Sequence, residues 1–190
     1  KSGTNNFIGG ARSLNLLPVA AADVSLKTAT ANNTLNSGTY TLLNGMNLTP
    51  GAGDYLLTFS TSAEGVSSSL LNFAVFVNGV ILQNTERTLT QESSIPNTLF
   101  TVLIAAKVSP AANQEVNIRW RNTGTAGNII AHERTLTLLK VDAADIFEAN
   151  STGNYSATNT AYTPINNLTL TPPAGDYLAI FSSSDFYVLS

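Results

Sequence analysis

Side chains able to act as an acid, a base or a nucleophile are few in this sequence. It contains one histidine, His132, and no cysteine. A nucleophilic triad needs a base held beside a hydroxyl or thiol, and transition-metal sites use mainly histidine and cysteine. In an internal repeat of the sequence, Gly10 occupies the position that matches His132. We therefore predict that His132 is a surface or loop residue and that the protein is not an enzyme.

Two pairs of aspartates recur at constant spacing and are the candidates for metal binding. Asp23 and Asp145 each follow two alanines, whereas Asp54 and Asp176 each stand within Gly-Asp-Tyr. Calcium needs several oxygen ligands that converge from neighbouring loops. Because carboxylates are sparse here, Asp54 and Asp176 are predicted to accept hydrogen bonds from turn amides. Asp23 and Asp145 stay as candidate metal positions, and we predict no metal or cofactor.

One run places an aromatic residue between two cations, Arg119, Trp120 and Arg121. A platform of this kind could bind a sugar or an anionic ligand. The run continues a period-two pattern that begins with Val116 and Ile118. That alternation directs Trp120 into a core and both arginines outward, which is the interpretation we favour.

The rest of the chain is polar but mostly uncharged. Charged residues are 11% of it and the formal net charge is −3, whereas an average soluble domain is about 25% charged. Binding to nucleic acid would require a basic surface. A membrane-spanning helix would require about 18 consecutive apolar residues. We predict neither partner, and a location outside the cell, on its surface or in a virion.

The sequence repeats itself with an offset of 122 residues. Residues 1–68 align without gaps to residues 123–190, and 28 of the 68 aligned pairs are identical. Self-similarity at a fixed period indicates an array of one structural unit. The residues between, 69–122, have no second copy, so we expect that the chain is part of a longer array.

The repeat predicts three segments: the end of one unit at 1–19, a complete unit at 20–141, and the start of another at 142–190. The junctions are short and similar. Their shared residues are Ala21, Ala22 and Asp23 in one copy and Ala143, Ala144 and Asp145 in the other. Linkers this short restrict motion, so successive units are expected to stack at a fixed angle.

Within the unit, period-two alternation predicts an all-β domain. Asn78-Gly79, between two apolar runs, predicts a two-residue hairpin because both positions of a type I′ turn need positive φ. About ten short strands separated by turns indicate an antiparallel sandwich or jelly roll. The predicted strands are 24–27, 40–43, 46–49, 54–62, 70–78, 80–83, 87–90, 98–108, 115–121 and 128–141.

One predicted strand departs from simple alternation because it is apolar on both sides. Phe100, Val102 and Ile104 form one side, and Leu103 and Ala105 form the other. In a two-layer sandwich only one side of a strand faces the core. We therefore predict an assembly interface that includes these five residues.

The strand sequences resemble the jelly roll of the tumour necrosis factor and complement globular-head superfamily over about residues 40–141. The resemblance is in segments 72–80, 100–108, 116–121 and 133–141. Its most specific part is the closing strand, Arg-Thr-Leu-Thr-Leu at 134–138, which is matched by Arg-Ser-Leu-Asn-Leu at 12–16. The resemblance implies a ten-stranded fold and a homotrimer. Most members carry one such head per chain, so the tandem arrangement favours a role along a shaft.

These features predict a structural protein built from tandem antiparallel jelly-roll domains, such as a phage tail fibre or a bacterial surface filament. Its main partner would be itself, as a trimer or a filament. The alternative is an adhesin or receptor-binding fibre that recognises cell-surface glycans. In that case the loops at 91–97 and 122–127 would carry the recognition.

Overall fold

The computed structural model describes residues 19–66, 68–91, 99–124, 127–151, 164–165 and 168–184. Within these ranges the chain forms ten β-strands and two short 3-10 turns, at Ala21–Asp23 and Ala143–Asp145. No helix in the described ranges is long and apolar enough to cross a membrane. The strands are β1 (Val24–Ala29), β2 (Asn33–Leu35), β3 (Thr41–Leu48), β4 (Asp54–Gly65), β5 (Leu70–Val77), β6 (Val80–Ile81), β7 (Arg87–Thr90), β8 (Phe100–Val108), β9 (Val116–Asn122) and β10 (Ile129–Val141).

The strand pairs are nested along the sequence, so that the first strand pairs with the last and later strands pair within them. β1 pairs with β10, β3 with β9, β4 with β8, and β5 with β7, all antiparallel. Alternate pairs belong to different sheets. Sheet A has the order β1-β10-β4-β8 with β2 beside β10, and sheet B has the order β3-β9-β5-β6 with β7 beside β5. This nested arrangement is a jelly roll, so the all-β jelly-roll prediction is confirmed.

The core lies between the two sheets and is formed by the inward-facing residue of each alternating pair. Phe59 of sheet A packs against Phe73 of sheet B, and Phe73 packs against Trp120, with ring centroids 6.2 and 5.7 Å apart. These three residues and Leu57 are at most 1% exposed. Trp120 is thus in the core, as the alternation predicts.

Local turn chemistry agrees with the sequence at the hairpin and departs from it in β3. Asn78 and Gly79 have φ angles of 50° and 79°, as a type I′ turn requires. Segments 40–43 and 46–49 were predicted as two strands, but they form the single strand β3. Gly45 has a φ of 80°, and the pairing with β9 shifts between Leu42 and Asn47. An irregularity at a glycine therefore bends one strand without ending it.

A buried arginine ties the two sheets together beside an irregularity in β10. Arg134 is 5% exposed. Its guanidinium donates to the carbonyl of Asn44 in β3 at 3.0 Å and to those of Ala31 and His132 at 2.8 Å each. Burial lowers its pKa from the ordinary value. The β1–β2 connection, β3 and β10 are thereby held by one side chain.

The chain enters and leaves the sandwich at the same end. Val24, the first residue of β1, is opposite Leu139, and Val141, the last residue of β10, is opposite Asp54. Because β1 and β10 are antiparallel neighbours, both junctions lie at this end of sheet A. Residues that follow Val141 therefore leave the sandwich beside the point where the chain enters β1.

Two local structures recur at the offset of 122 residues. Ala21–Asp23 and Ala143–Asp145 form the same 3-10 turn, closed by the Asp23 amide on Ala20 and the Asp145 amide on Asp142, each at 3.0 Å. The Tyr55 hydroxyl donates to the Gly51 carbonyl at 3.0 Å, and Tyr177 donates to Pro173 at 2.8 Å. All ten strands lie within 24–141. The division into units and the repetition of the whole fold stay predictions.

Candidate functional site

The outer face of sheet A is apolar at the end where the junctions lie. Residues directly opposite each other in antiparallel strands share a face. Here Val24 is opposite Leu139, which is opposite Leu56, and these pairs stand in one row across three strands. The outward-facing apolar residues of the sheet are Val24, Leu26, Leu56, Leu103, Ala105 and Leu139, and we call them the leucine face. Leu26 is 55% exposed and Leu103 is 37% exposed.

The five residues predicted at an assembly interface are divided between the two sides of β8. Val102 and Ile104 are at most 2% exposed and belong to the core, against which Phe100 also packs. Leu103 and Ala105 face outward, opposite Ser60 and Thr58 of β4. Successive side chains of a strand point to opposite sides. Of the five predicted interface residues, only Leu103 and Ala105 therefore face outward, and their role in an interface stays a prediction.

Beyond the leucine face, hydroxyl groups line a shallow depression of about 470 Å³ on the same sheet. Ser60 and Ser62 of β4 line it together with Glu133 and with Arg134, whose guanidinium donates to backbone carbonyls. The depression also includes Thr28, Thr30, Thr101 and Thr135. The Glu133 side chain is exposed, and no ion pair to it is found within the described ranges. The surface offers several hydrogen-bond acceptors and one carboxylate.

The outer face of sheet B is covered by its own arginines. The Arg119 guanidinium lies 4.7 Å from the ring centre of Phe76, and that of Arg121 lies 4.4 Å from the ring centre of Tyr40. The two rings meet edge to face at 5.2 Å. Guanidinium groups over aromatic faces attract electrostatically and shield the ring. The rings beside the two arginines are therefore Phe76 and Tyr40, and Trp120 is not part of this surface.

Glu86 anchors this arrangement. It accepts a hydrogen bond from the Tyr40 hydroxyl and lies 3.3 Å from Arg121 Nη2. Burial, followed by the hydrogen bond to Glu86, raises the pKa of Tyr40 above its ordinary value. The phenol is therefore held as a neutral donor. On this face Arg121 is paired with Glu86, whereas Arg87 at the edge of sheet B donates to Ser182, which lies outside residues 20–141.

His132 lies in β10, not in a loop, and its side chain is partly buried. Its Nδ1 is 3.0 Å from Asn32 Oδ1, and its Nε2 is 3.3 Å from Glu64 Oε1. A catalytic histidine needs one nitrogen directed at a nucleophile or substrate and the other at an orienting group. Both nitrogens of His132 face side chains of neighbouring strands, so its described contacts join β10 to the β1–β2 connection and to β4.

The aspartates considered as metal ligands have different local environments in the fold. Asp23 and Asp145 each end a 3-10 turn at a different junction. The Asp54 carboxylate accepts from the Ser109 hydroxyl at 2.5 Å and lies 3.8 Å from Lys107 Nζ, so its observed partners are side chains rather than turn amides. Among the described residues, no group of three or more histidines, cysteines or carboxylates comes together.

Described residues that follow β10 contact the open edges of both sheets. Glu148 Oε1 accepts from the Lys107 amide on the free edge of β8 at 2.8 Å. Ser184 Oγ accepts from the Thr88 amide on β7 at 2.8 Å, and Ser182 Oγ accepts from Arg87 Nη2 at 2.8 Å. Unpaired strand edges are sites of association, and here they hold residues of the following repeat.

Sequence reasoning missed most of the leucine face and all of these edge contacts. Leu26, Leu56 and Leu139 belong to strands that were predicted, but their pairing across the sheet was not. Alternation separates the two sides of each strand. Only the pairing shows that these positions stand side by side.

The comparisons with known proteins give information about the fold only. No protein-family model and no curated protein matches the chain. Among solved structures, it is similar to Eiger TNF from S. frugiperda, with 12% identity, a TM-score of 0.46 and coverage of 66% of this chain and 98% of that one. It is also similar to the C-terminal domain of EclA, a sugar-binding protein, with 14% identity, a TM-score of 0.40 and coverage of 71% and 92%.

A third similar structure is that of T=1 particles derived from infectious bursal virus. Its identity is 10%, its TM-score is 0.42, and the alignment covers 71% of this chain and 36% of that one. All three TM-scores are below 0.5, so the assignment to the jelly rolls depends on the strand pairing described above.

Proposed function

We propose that this protein is a structural subunit of an extracellular or virion-associated fibre or filament, which assembles through the leucine face of sheet A. The observation that carries the proposal is the row of outward-facing apolar residues on neighbouring strands. Burying apolar surface stabilises an interface by about 25 cal/mol per Å². A repeated unit multiplies each contact along the chain. Homotrimers and longer filaments both satisfy this chemistry, and we propose no catalytic role.

The position of the junctions determines how such units can be joined. Both lie at one end of sheet A, so successive sandwiches cannot follow each other end to end with the short linkers that the repeat provides. We infer that neighbouring units of one chain stand side by side and project from a common line of junctions. Val24, Leu56 and Leu139 of the leucine face are at the junction end and would be brought close to their copies.

Replacing Leu103 with Asp tests the leucine face. A carboxylate there should dissociate the assembly because it would be buried without a partner. Sedimentation of wild-type protein and variant over a range of concentrations would measure this. The free energy of unfolding of the isolated chain should change little, because Leu103 lies outside the core.

The matched control is Leu42→Asp on sheet B. Leu42 is 38% exposed, compared with 37% for Leu103, so the two substitutions introduce the same charge at equal exposure. The control should still assemble. A wild-type protein that stays monomeric at high concentration, or equal loss of assembly in both variants, would contradict the proposal.

A second candidate function is recognition of cell-surface glycans by loops. It is favoured because the described ends of two predicted recognition loops meet at one place. The Gln91 amide donates to the Ser69 carbonyl at 2.9 Å, and the Thr123 amide donates to the Leu70 carbonyl at 3.0 Å. Residues 92–98 and 125–126 lie outside the described ranges. A glycan array probed with the assembled protein tests this function, and the absence of any signal would dismiss it.

A further inference from the structure

We propose that the hydroxyl-lined depression on sheet A receives the β7 edge of a neighbouring repeat unit, with the side chain of its Arg87 equivalent bound by Ser60, Ser62 and Glu133. The proposal rests on the proposed tandem array, but not on assembly through the leucine face. It joins two surfaces that are separate in the unit: the edge of sheet B and the outer face of sheet A.

The first observation is a contact already present in the structure. Arg87 donates to the hydroxyl of Ser182, and the adjacent Thr88 amide donates to that of Ser184. At the offset of 122 residues, the counterparts of Ser182 and Ser184 are Ser60 and Ser62. Two residues that line the depression, Ser60 and Ser62, are thus the counterparts of the serines that contact the β7 edge.

The second observation concerns geometry. Residues two apart in an extended chain face the same side, so Ser182 and Ser184 present one side of their segment to β7. Ser60 and Ser62 are likewise two apart in β4, and they share the outer face of sheet A. If residues 176–184, the counterparts of 54–62, take the place of β4 in a following unit, Ser182 and Ser184 would share its outer face as Ser60 and Ser62 do here.

The third observation is chemical complementarity. Arg87 has carbonyl partners in Asn84 and Glu86, at 3.1 and 3.0 Å. Its Nε is buried and without a hydrogen-bond partner within the described ranges. A guanidinium binds hydroxyl oxygens and, in paired geometry, carboxylates. The depression offers the hydroxyls of Ser60 and Ser62 together with the exposed carboxylate of Glu133.

Disulfide trapping between two copies of the chain tests the proposal, since the sequence has no cysteine. One copy carries Thr88→Cys with Ser182→Ala and Ser184→Ala, which free the β7 edge. The other carries Ser62→Cys. We expect a crosslinked dimer under mild oxidation, at roughly five times the yield of a control or more, as for thiols held at high effective concentration. The control replaces Ser62→Cys with Thr41→Cys, an exposed position on sheet B.

Two further variants separate the possible outcomes. Arg87→Gln in the first copy, or Glu133→Gln in the second, should reduce the yield if the guanidinium is bound as proposed. Leu26→Asp in both copies disrupts the leucine face at a position that, unlike Leu103, does not stand opposite Ser60. Crosslinking that survives Leu26→Asp supports the proposal even if the proposed lateral assembly fails. Crosslinking that is absent, that equals the Thr41 control, or that is unaffected by Arg87→Gln overturns it.

Discussion

The outer face of sheet B carries two arginines that lie over aromatic rings. The outer face of sheet A instead carries leucines, of which Leu103 is 37% exposed and Leu26 is 55% exposed. Both faces belong to the same sandwich and enclose the same core. Sheet B neutralises Arg121 with Glu86 inside the unit. Sheet A pairs Lys107 with Asp54 and places His132 beside Glu64, and it also presents apolar side chains and hydroxyls. The difference supports the proposal that sheet A, rather than sheet B, is the face buried in an assembly.

The largest change in stability is expected from a substitution of Arg134, which links the two sheets. Arg134→Met should lower the free energy of unfolding by about 3 kcal/mol, because buried carbonyls lose a charged donor worth about 1.5–3 kcal/mol per hydrogen bond. Urea unfolding measures it. Arg119→Met on the sheet B face is the comparison and should cost about 1 kcal/mol or less. Equal losses would show that the buried link has no special role.

On the sheet B face, Glu86→Gln should reduce stability by about 1 kcal/mol or less, since the ion pair with Arg121 is partly exposed and screened. The loss should shrink as salt concentration rises. Glu133→Gln on the rim of sheet A is the matched substitution and should leave the unfolding free energy of the single chain unchanged. A larger loss from Glu133→Gln would contradict the contrast between the faces.

The raised pKa of Tyr40 predicts a dependence on alkaline pH. The folded state holds the phenol proton more tightly than the unfolded state, where the pKa is 10.0. The resulting stability is therefore fully present below about pH 10 and is lost as the pH rises further. Unfolding free energies of wild type and Tyr40→Phe should differ by an amount that declines above about pH 10. A constant difference would show that folding does not raise the pKa of Tyr40.

The smallest effect on stability is expected on the leucine face. Leu26→Thr removes an apolar side chain that is 55% exposed, and surface substitutions of this kind usually change stability by less than about 0.5 kcal/mol. Its effect on assembly should be much larger, which sedimentation at matched concentrations measures. A marked loss of stability with unchanged assembly would reverse our view of this face.

Sequence patterns predicted the strands well where local chemistry decides the outcome. β7 was predicted with its observed bounds, and Asn78 and Gly79 form the expected turn because only a few residue types adopt positive φ. β2 was missed because three residues are too few to show alternation. Segments 40–43 and 46–49 were separated because a glycine at 45 suggests a turn, whereas in the fold pairing with β9 continues on both sides of it.

The candidate surfaces could be predicted only in part. The apolar character of Leu103 and Ala105 is visible in the sequence, but which side of β8 faces the core depends on the register with β4. The contacts of Arg87 and Thr88 with Ser182 and Ser184 join residues about 95 positions apart, and no local pattern indicates such a pairing.

By itself, the sequence determined the all-β class, the 122-residue repeat, the short junctions, and the scarcity of histidine and cysteine. These properties depend on residue type and on spacing along the chain. The tertiary structure decided which apolar residues form a common face and that both junctions lie at one end. It did so because the nested pairing brings together strands more than 100 residues apart, as with Val24 and Leu139. Neighbours across a sheet are set by backbone hydrogen bonds between distant segments, which composition and period do not specify.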